Sequence, residues 1–303
     1  MSWQSGLFNF VAGFAIKRRT EDKSYAEARE VFSRLMDQPP KVPKAADHTR
    51  EHLNGVACDW VWAKSAADSR HVVMYFHGGA FMCGSPNTHF DLAWRLSDAS
   101  GMKVLLVDYR LTPEHVFPAP LDDAVNVYRA LLERGYRADQ IAFGGDSAGG
   151  NMTLSVMVKL QALDLPLPFA GLCFSPWADL THSGESIERN AGSDTTLSPS
   201  VVINAAEVYA AGEDQSRPLL SPVFADYTGM PPLLVYVGTD EVLLDDARAI
   251  QRAATAQGVE VEYEEWHKQP HAFPVMGAFM PEARKALQQA GDFLRRKAGP
   301  SHA

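Results

Sequence analysis

The stretch Gln140-Ile141-Ala142-Phe143-Gly144-Gly145-Asp146-Ser147-Ala148-Gly149-Gly150 decides the fold. Its first residues, Gln140 to Phe143, read as a short buried strand. From Ala148 to Leu163 the chain reads as an apolar helix. A strand, a serine between glycines and a helix in immediate succession make the context of a nucleophile elbow. The glycines leave room for a tight turn that pushes Ser147 Oγ out of the backbone. The helix behind it offers free N–H groups and a positive dipole end. A bare Gly-x-Ser-x-Gly is a weak signal, because glycine-serine turns are common; here the flanking elements strengthen it.

Outward from this point, strand and helix alternate. Gly55 to Ala63 has period-two character, and His71 to Phe76 and Lys103 to Val107 are short apolar runs of the fully buried kind. A helix over Ser85 to Ser100 lies between those runs, with Ser85 as N-cap and Pro86 at its first position. Further helices are expected near Ala119 to Arg134, from Asp245, and over Pro281 to Lys297. Further strands are expected at Phe169 to Phe174, Leu233 to Val237 and Val259 to Trp266. This rhythm predicts an α/β fold with a mostly parallel central sheet and helices on both faces. Residues 181–217 break the rhythm. They are polar, with one helical patch at Val201 to Ala211, and an insertion of that size reads as a lid or binding element.

The chain begins differently. Trp3, Leu7, Phe10, Val11 and Phe14 recur at helical spacing, and a second helical stretch runs from Tyr25 to Met36. Gln38-Pro39-Pro40-Lys41-Val42-Pro43 then breaks the chain. Residues 1–45 are therefore expected to be an appendage and 46–303 the main domain. The first helix is expected to lie on the protein's own surface with its apolar stripe covered, the alternative being a membrane-surface anchor in which Lys17, Arg18 and Arg19 meet anionic lipid. It is too short to span a bilayer, and Lys17, Arg18 and Arg19 follow it where a secretory signal carries its charge in front.

Of 303 residues, 46% are hydrophobic and 21% charged, enough for a sizeable core. The net charge of -9 argues against a nucleic-acid binder. Cys58, Cys83 and Cys173 are far apart and lack zinc-ligand spacing, so a reducing, cytoplasmic location with no metal or cofactor is the expectation.

A serine hydroxyl needs a base to accept its proton, and the base needs an acid to orient it. On a sheet of this kind the order along the chain is serine, acid, histidine. His182, His267, His271 and His302 follow Ser147. His182 lies in the insertion, His302 in the tail, and His267 ends a strand. His271 lies in the loop before the last helix, where its ring can swing over the sheet, and is the expected base. For the acid, Asp240 follows the strand Leu233 to Val237 at the carboxyl edge where α/β sites collect. Asp245 and Asp246 stand at a helix start, where capping explains them. Glu241 is expected to point away. Asp146 reads as support for the elbow with no firm role. Ala148 N–H, and the Gly78 and Gly79 amides of His77-Gly78-Gly79-Ala80-Phe81, are candidate donors to the developing oxyanion.

Together, His77-Gly78-Gly79-Ala80, Asp108-Tyr109-Arg110-Leu111-Thr112-Pro113-Glu114-His115, Phe117-Pro118-Ala119-Pro120-Leu121-Asp122-Asp123 and Gly144-Gly145-Asp146-Ser147-Ala148-Gly149-Gly150-Asn151 resemble the hormone-sensitive lipase family, and more narrowly its bacterial carboxylesterases. Ser175-Pro176-Trp177-Ala178-Asp179-Leu180-Thr181, Asp240 and His271-Ala272-Phe273 continue the match, which covers about residues 70–295. Thr112, where alanine is commoner, and Ala272, where glycine is common, depart from the pattern.

The resemblance implies an α/β-hydrolase fold and a triad of Ser147, Asp240 and His271. It also implies an oxyanion hole from Gly78, Gly79 and Ala148, and a helical cap from the N-terminal segment and residues 181–217. Position and likeness together place the bulky rings of Phe81, Trp177 and Phe273 around the pocket, implying small-molecule esters with short acyl chains. Homodimerisation through the edge strand Val259 to Trp266 is implied too, without membrane insertion. The competing readings are an amidase or lactonase on the same triad, or a small-molecule receptor that kept the fold and lost catalysis.

Overall fold

The computed structural model describes residues 1–36 and 39–299, without the side chains of Phe14 and Met36; Gln38 and His302 thus lie outside the described residues. Eight strands build one sheet: β1 (Ala46–Leu53), β2 (Val56–Ala63), β3 (Val72–Phe76), β4 (Lys103–Val107), β5 (Ile141–Asp146), β6 (Gly171–Phe174), β7 (Leu233–Gly238) and β8 (Val261–Trp266). Their spatial order is β1-β2-β4-β3-β5-β6-β7-β8. β1 and β2 run antiparallel to their neighbours, and every pairing from β4 through to β8 is parallel. The central strands β3 and β5 are buried on both faces, which is why they read as unbroken apolar runs.

The helices are α1 (Trp3–Ala12), α2 (Arg18–Thr20), α3 (Tyr25–Met36), α4 (Pro86–Ser100), α5 (Ala119–Glu133), α6 (Ala148–Ala162), α7 (Ser186–Arg189), α8 (Pro199–Ala210), α9 (Leu244–Ala256) and α10 (Pro281–Lys297). One π-helical turn, Gly13–Lys17, joins α1 to α2. α4 and α10 bury Phe90, Leu96, Leu287 and Phe293 against one face of the sheet. On the other face, α5, α6 and α9 contribute Leu121, Leu131, Leu154, Leu160 and Ile250 to a second core.

β1 was not expected from the sequence. Its interior residues Asp47, His48, Thr49, Arg50 and Glu51 are exposed or half-exposed. An edge strand with polar side chains on both faces shows no apolar period.

Both segments outside the sheet rhythm meet above the carboxyl ends of the strands. Lys17 Nζ donates to the Asp194 carbonyl at 2.6 Å, and Asp22 N to Ser200 Oγ at 3.3 Å. Arg29 donates through Nη1 and Nη2 to the Glu114 carboxylate at 2.7 and 2.9 Å, and through Nε to the Met82 carbonyl at 2.9 Å. The apolar stripe of α1 departs from expectation. Trp3, Leu7, Phe10 and Val11 are 74%, 54%, 67% and 51% exposed, so the stripe faces outward. The buried residues of α1 are Ser5 and Ala12. Polar bonds hold the helix: Ser2 Oγ and Ser5 Oγ both donate to Glu282 Oε2, at 2.8 and 2.9 Å.

Candidate active site

Ser147 joins β5 to α6 with φ 54° and ψ -119°, a backbone conformation that L-residues rarely adopt. The surrounding crossing is tight. A Cβ on Gly145 would stand 2.1 Å from the Gly149 carbonyl oxygen, and one on Gly149 would stand 1.9 Å from that of Phe76. Only glycine fits at these two positions. Neighbouring backbone holds the strained turn: Ser147 N donates to Phe174 O at 2.9 Å, and Trp177 N to Ser147 O at 3.0 Å. Ala148 is the first residue of α6, so helix geometry leaves its N–H without an intrahelical acceptor.

His271 lies in the loop between β8 and α10, buried, and lines the same cavity as Ser147. Its Nδ1 is 2.7 Å from Glu241 Oε2. The expectation that Asp240 would face this histidine is therefore corrected: the carboxylate there is Glu241. After β7 the chain turns tightly, and Glu241 folds back under the strand end. Its Oε1 accepts from Gly238 N at 2.5 Å and from Ser175 Oγ at 2.6 Å. Asp240 is half-exposed and its Oδ1 accepts from Thr239 Oγ1 at 2.9 Å. The one extra methylene of a glutamate chain, and the sense of the turn, put the longer side chain inside. Asp245 accepts from Ser186 N at 2.8 Å, and Asp246 accepts from Ala178 N and Asp179 N at 2.8 and 2.9 Å, so both serve structure. His267 is exposed.

Burial penalises charge on both partners of the His271–Glu241 pair. For His271, the charges of Glu241, Asp194 and Asp146 and the hydrogen bond to Glu241 outweigh burial and lift its pKa above the usual imidazole value. Glu241 ends above the usual carboxylate range, because burial outweighs the stabilisation it receives from His271 and Ser175. A protonated His271 is thus favoured by a fixed, buried, hydrogen-bonded carboxylate.

The glycine turn after β3 also differs in one respect. Gly78 lines the cavity, but its N lies 3.2 Å from Asp146 Oδ1, so its hydrogen is taken by that carboxylate rather than offered to an oxyanion as expected. Gly79 and Ala80, next in the turn, line the cavity and have φ of 121° and 52°.

The cavity holds about 140 Å³ and its lining is almost wholly apolar. Ser147, His271, Gly79 and Asp146 lie at its floor, with Trp177 and Met82 beside them. Ile16, Phe32 and Leu35 from the N-terminal helices, with Leu197, Val201 and Val202 from the insertion, form its upper walls. Of the three rings expected at the pocket, Trp177 lines it. Phe81 is buried one layer back, stacked on Tyr209 with ring centroids 3.7 Å apart. Phe273 packs 5.1 Å from Trp266 in the core under α10, and its backbone position after His271 says nothing about the side chain's direction. The sequence reading missed His89, which lines the cavity from α4, and Val275 and Met276, which line it from the loop after His271. Only their nearness to the His77 turn and to His271 could have suggested them.

A serine on a strained strand-to-helix turn at the carboxyl edge of a mostly parallel sheet places the molecule in the α/β-hydrolase class. Residues 73–275 match the family model described as alpha/beta hydrolase fold. An acetyl-hydrolase of Streptomyces hygroscopicus is 39% identical over 276 residues, 91% of this chain and 89% of the relative. An esterase of Acinetobacter venetianus is 35% identical, covering 76% of each chain. Among solved structures, an esterase from the bacterial hormone-sensitive lipase family superposes with a TM-score of 0.91 at 37% identity, over 99% of both chains. The chain belongs to the α/β-hydrolase family, in its bacterial hormone-sensitive lipase branch, and is a carboxylic-ester hydrolase. No helix among the described residues is long and apolar enough to cross a membrane.

Proposed function

We propose that the protein hydrolyses small esters with short acyl chains, using Ser147 as nucleophile, His271 as general base and Glu241 as the orienting acid. The observation that carries this reading is the 2.7 Å contact of His271 Nδ1 with Glu241 Oε2, in a cavity floored by Ser147 and His271. With Nδ1–H held by the carboxylate, Nε2 is left as the basic nitrogen. It takes the Ser147 proton as Oγ attacks the ester carbonyl, and returns it to the alkoxide leaving group. Water then attacks the acyl-enzyme with His271 again as base. The oxyanion is received by Ala148 N–H and by the amides of the Gly79–Ala80 turn, each such donor contributing about 3 to 4 kcal/mol in comparable sites.

A cavity of about 140 Å³ is well below the roughly 300–1,000 Å³ of sites for drug-sized ligands. With Trp177 beside the nucleophile, it suits acetyl to butyryl groups. One solved relative, EstE5, with a TM-score of 0.91 at 33% identity, was soaked with p-nitrophenyl butyrate. An acyl-chain series of p-nitrophenyl esters tests the substrate reading: a maximum at or below butyrate is expected, and a maximum at decanoate or longer would contradict it.

Residues 1–45 and 181–217 form the cap in this reading, since both supply cavity walls and bond to one another. The free edge of β8 is the homodimer interface. Two of its three acidic residues are paired within the chain, Glu262 with Arg296 and Glu265 with Arg248, which lowers repulsion between two such edges. Sedimentation that gives only monomer at assay concentration would remove the dimer. All three cysteines are buried and none forms a disulfide among the described residues, in keeping with a reducing cytoplasm.

A further inference from the structure

The aspartate beside the nucleophile has a side chain that the proposed reaction does not use. Asp146 is buried, and its Oδ1 meets three donors from three elements: Tyr75 Oη on β3 at 2.9 Å, Gly78 N in the turn after β3 at 3.2 Å, and His89 Nε2 on α4 at 3.0 Å. His89 is itself held. Thr88 Oγ1 stands 2.6 Å from His89 Nδ1 and engages that nitrogen, leaving Nε2–H for the carboxylate. Gly78 N also lies 3.3 Å from His89 Nε2, but a nitrogen that donates to the carboxylate cannot accept, which leaves Asp146 as the acceptor. A Cβ on Gly78 would come within 2.2 Å of Asp146 Oδ2, so the turn is seated directly on this carboxylate.

We propose that Asp146 and His89 are a positioning pair that locks the oxyanion turn at Gly78 to the elbow that carries Ser147. The argument is one of registry. Ser147 and Asp146 share one backbone turn, and Gly78 is joined by single peptide links to the Gly79–Ala80 amides. One carboxylate oxygen therefore fixes where those amides stand relative to Ser147 Oγ. A misplacement of about 1 Å in such a site costs on the order of 100-fold in rate. His89 has a second task. A carboxylate beside a developing oxyanion opposes it, and the hydrogen that His89 directs at Asp146 offsets that charge. The inference rests on the serine mechanism proposed above.

The groups that act electrostatically on Asp146 and His271 are His89, His77, Tyr75, Tyr109, Glu241 and Asp194. Burial opposes ionisation of Asp146, yet His89, Tyr75 and His271 together hold its pKa below the usual carboxylate value. Its negative charge in turn favours protonated His271.

The test is steady-state kinetics on p-nitrophenyl acetate with a set of variants of the full chain. Asp146→Ala and His89→Ala should each lower kcat by on the order of 100-fold while KM changes less than about threefold, the pattern of an interaction needed only in the transition state. The double variant should be no slower than about threefold below the worse single one, because the two residues act as a unit. His89→Gln, whose amide can still donate to Oδ1, should lose less than His89→Ala. Asp146→Asn keeps the acceptor atom and loses the charge, so it should move the acid limb of kcat/KM to lower pH.

Overturning results are an Asp146→Ala kcat within threefold of wild type, a double loss equal to the product of the singles, or equal losses in His89→Gln and His89→Ala. If circular dichroism shows that Asp146→Ala does not fold, the two His89 variants decide. Ser147→Ala is the control: if it stays active, the serine mechanism itself fails, and the pair falls with it.

Discussion

Glu241 Oε2 sits 2.7 Å from His271 Nδ1, while Asp240, one residue earlier, turns its carboxylate to Thr239 at the half-exposed rim. Adjacent carboxylates thus have unlike surroundings. One is buried and bonded to Ser175, Gly238 and His271; the other keeps contact with water.

Replacing the nucleophile separates chemistry from strain. Ser147→Ala should lower ester hydrolysis by on the order of 10⁴-fold or more, with the fold intact by circular dichroism. Ser147→Gly should be equally inactive yet more stable than wild type by about 1 kcal/mol. Relief of a φ of 54° releases about 1 to 3 kcal/mol, and glycine's added chain entropy takes back part of it. A thermal melt checks the second point; a lower midpoint for Ser147→Gly would show that the turn stores no strain.

The pH profile follows from the sign of the His271 shift. Base catalysis needs neutral imidazole, and its pKa is raised above 6.5 by the charge and hydrogen bond of Glu241, against burial. Activity should therefore fall as pH drops through a value above 6.5. Removing the Glu241 charge should move that acid limb down. Initial rates from pH 5 to 9 measure it, and an acid limb below 6 in wild type would contradict the assignment.

Trp177 lines the cavity, and in the proposed reading it bounds the acyl group. Trp177→Leu should shift the best substrate towards longer acyl chains and destabilise the fold by about 2 to 4 kcal/mol, because the ring is wholly buried. The ratio of hexanoate to acetate turnover, with a melt, reads both effects. An unchanged ratio would remove Trp177 from the substrate wall.

Deletion of residues 1–40 removes Ile16, Phe32 and Leu35 from the cavity wall. Hydrolysis of p-nitrophenyl acetate should fall at least tenfold, since the ester loses the surface that orients it over Ser147. By contrast, Leu7→Gln on the outer face of α1 should change stability by less than about 0.5 kcal/mol. Full activity in the deleted form would contradict the role given to these helices.

What the sequence made legible follows burial. Lys103–Val107 and Pro281–Lys297 have the limits read from their patterns, because a doubly buried strand and an amphipathic helix leave strong periodic marks. The positions of Ser147 and His271 were legible because their context fixes where they stand: an elbow between strand and helix, and a loop over the sheet's end. The rest depends on where a side chain points after a turn. Glu241 and Asp240 differ by one peptide, and only the reversal at Gly238 decides which enters the protein. Gly78 reads as an oxyanion donor from its motif, but its N–H faces Asp146. The stripe on α1 looked like a buried face, but serine bonds to Glu282 hold that helix and leave the stripe outward. Polar anchoring leaves no period in the sequence.

The most direct test of the central claim compares Glu241→Gln with Asp240→Asn in kcat/KM for p-nitrophenyl acetate. Glu241→Gln keeps the shape but takes away the charge that orients and stabilises His271, and should lose on the order of 10³ to 10⁴-fold, as charge removal at such a position does elsewhere. Asp240→Asn should stay within about threefold of wild type. A large loss in Asp240→Asn with Glu241→Gln near wild type would contradict the account.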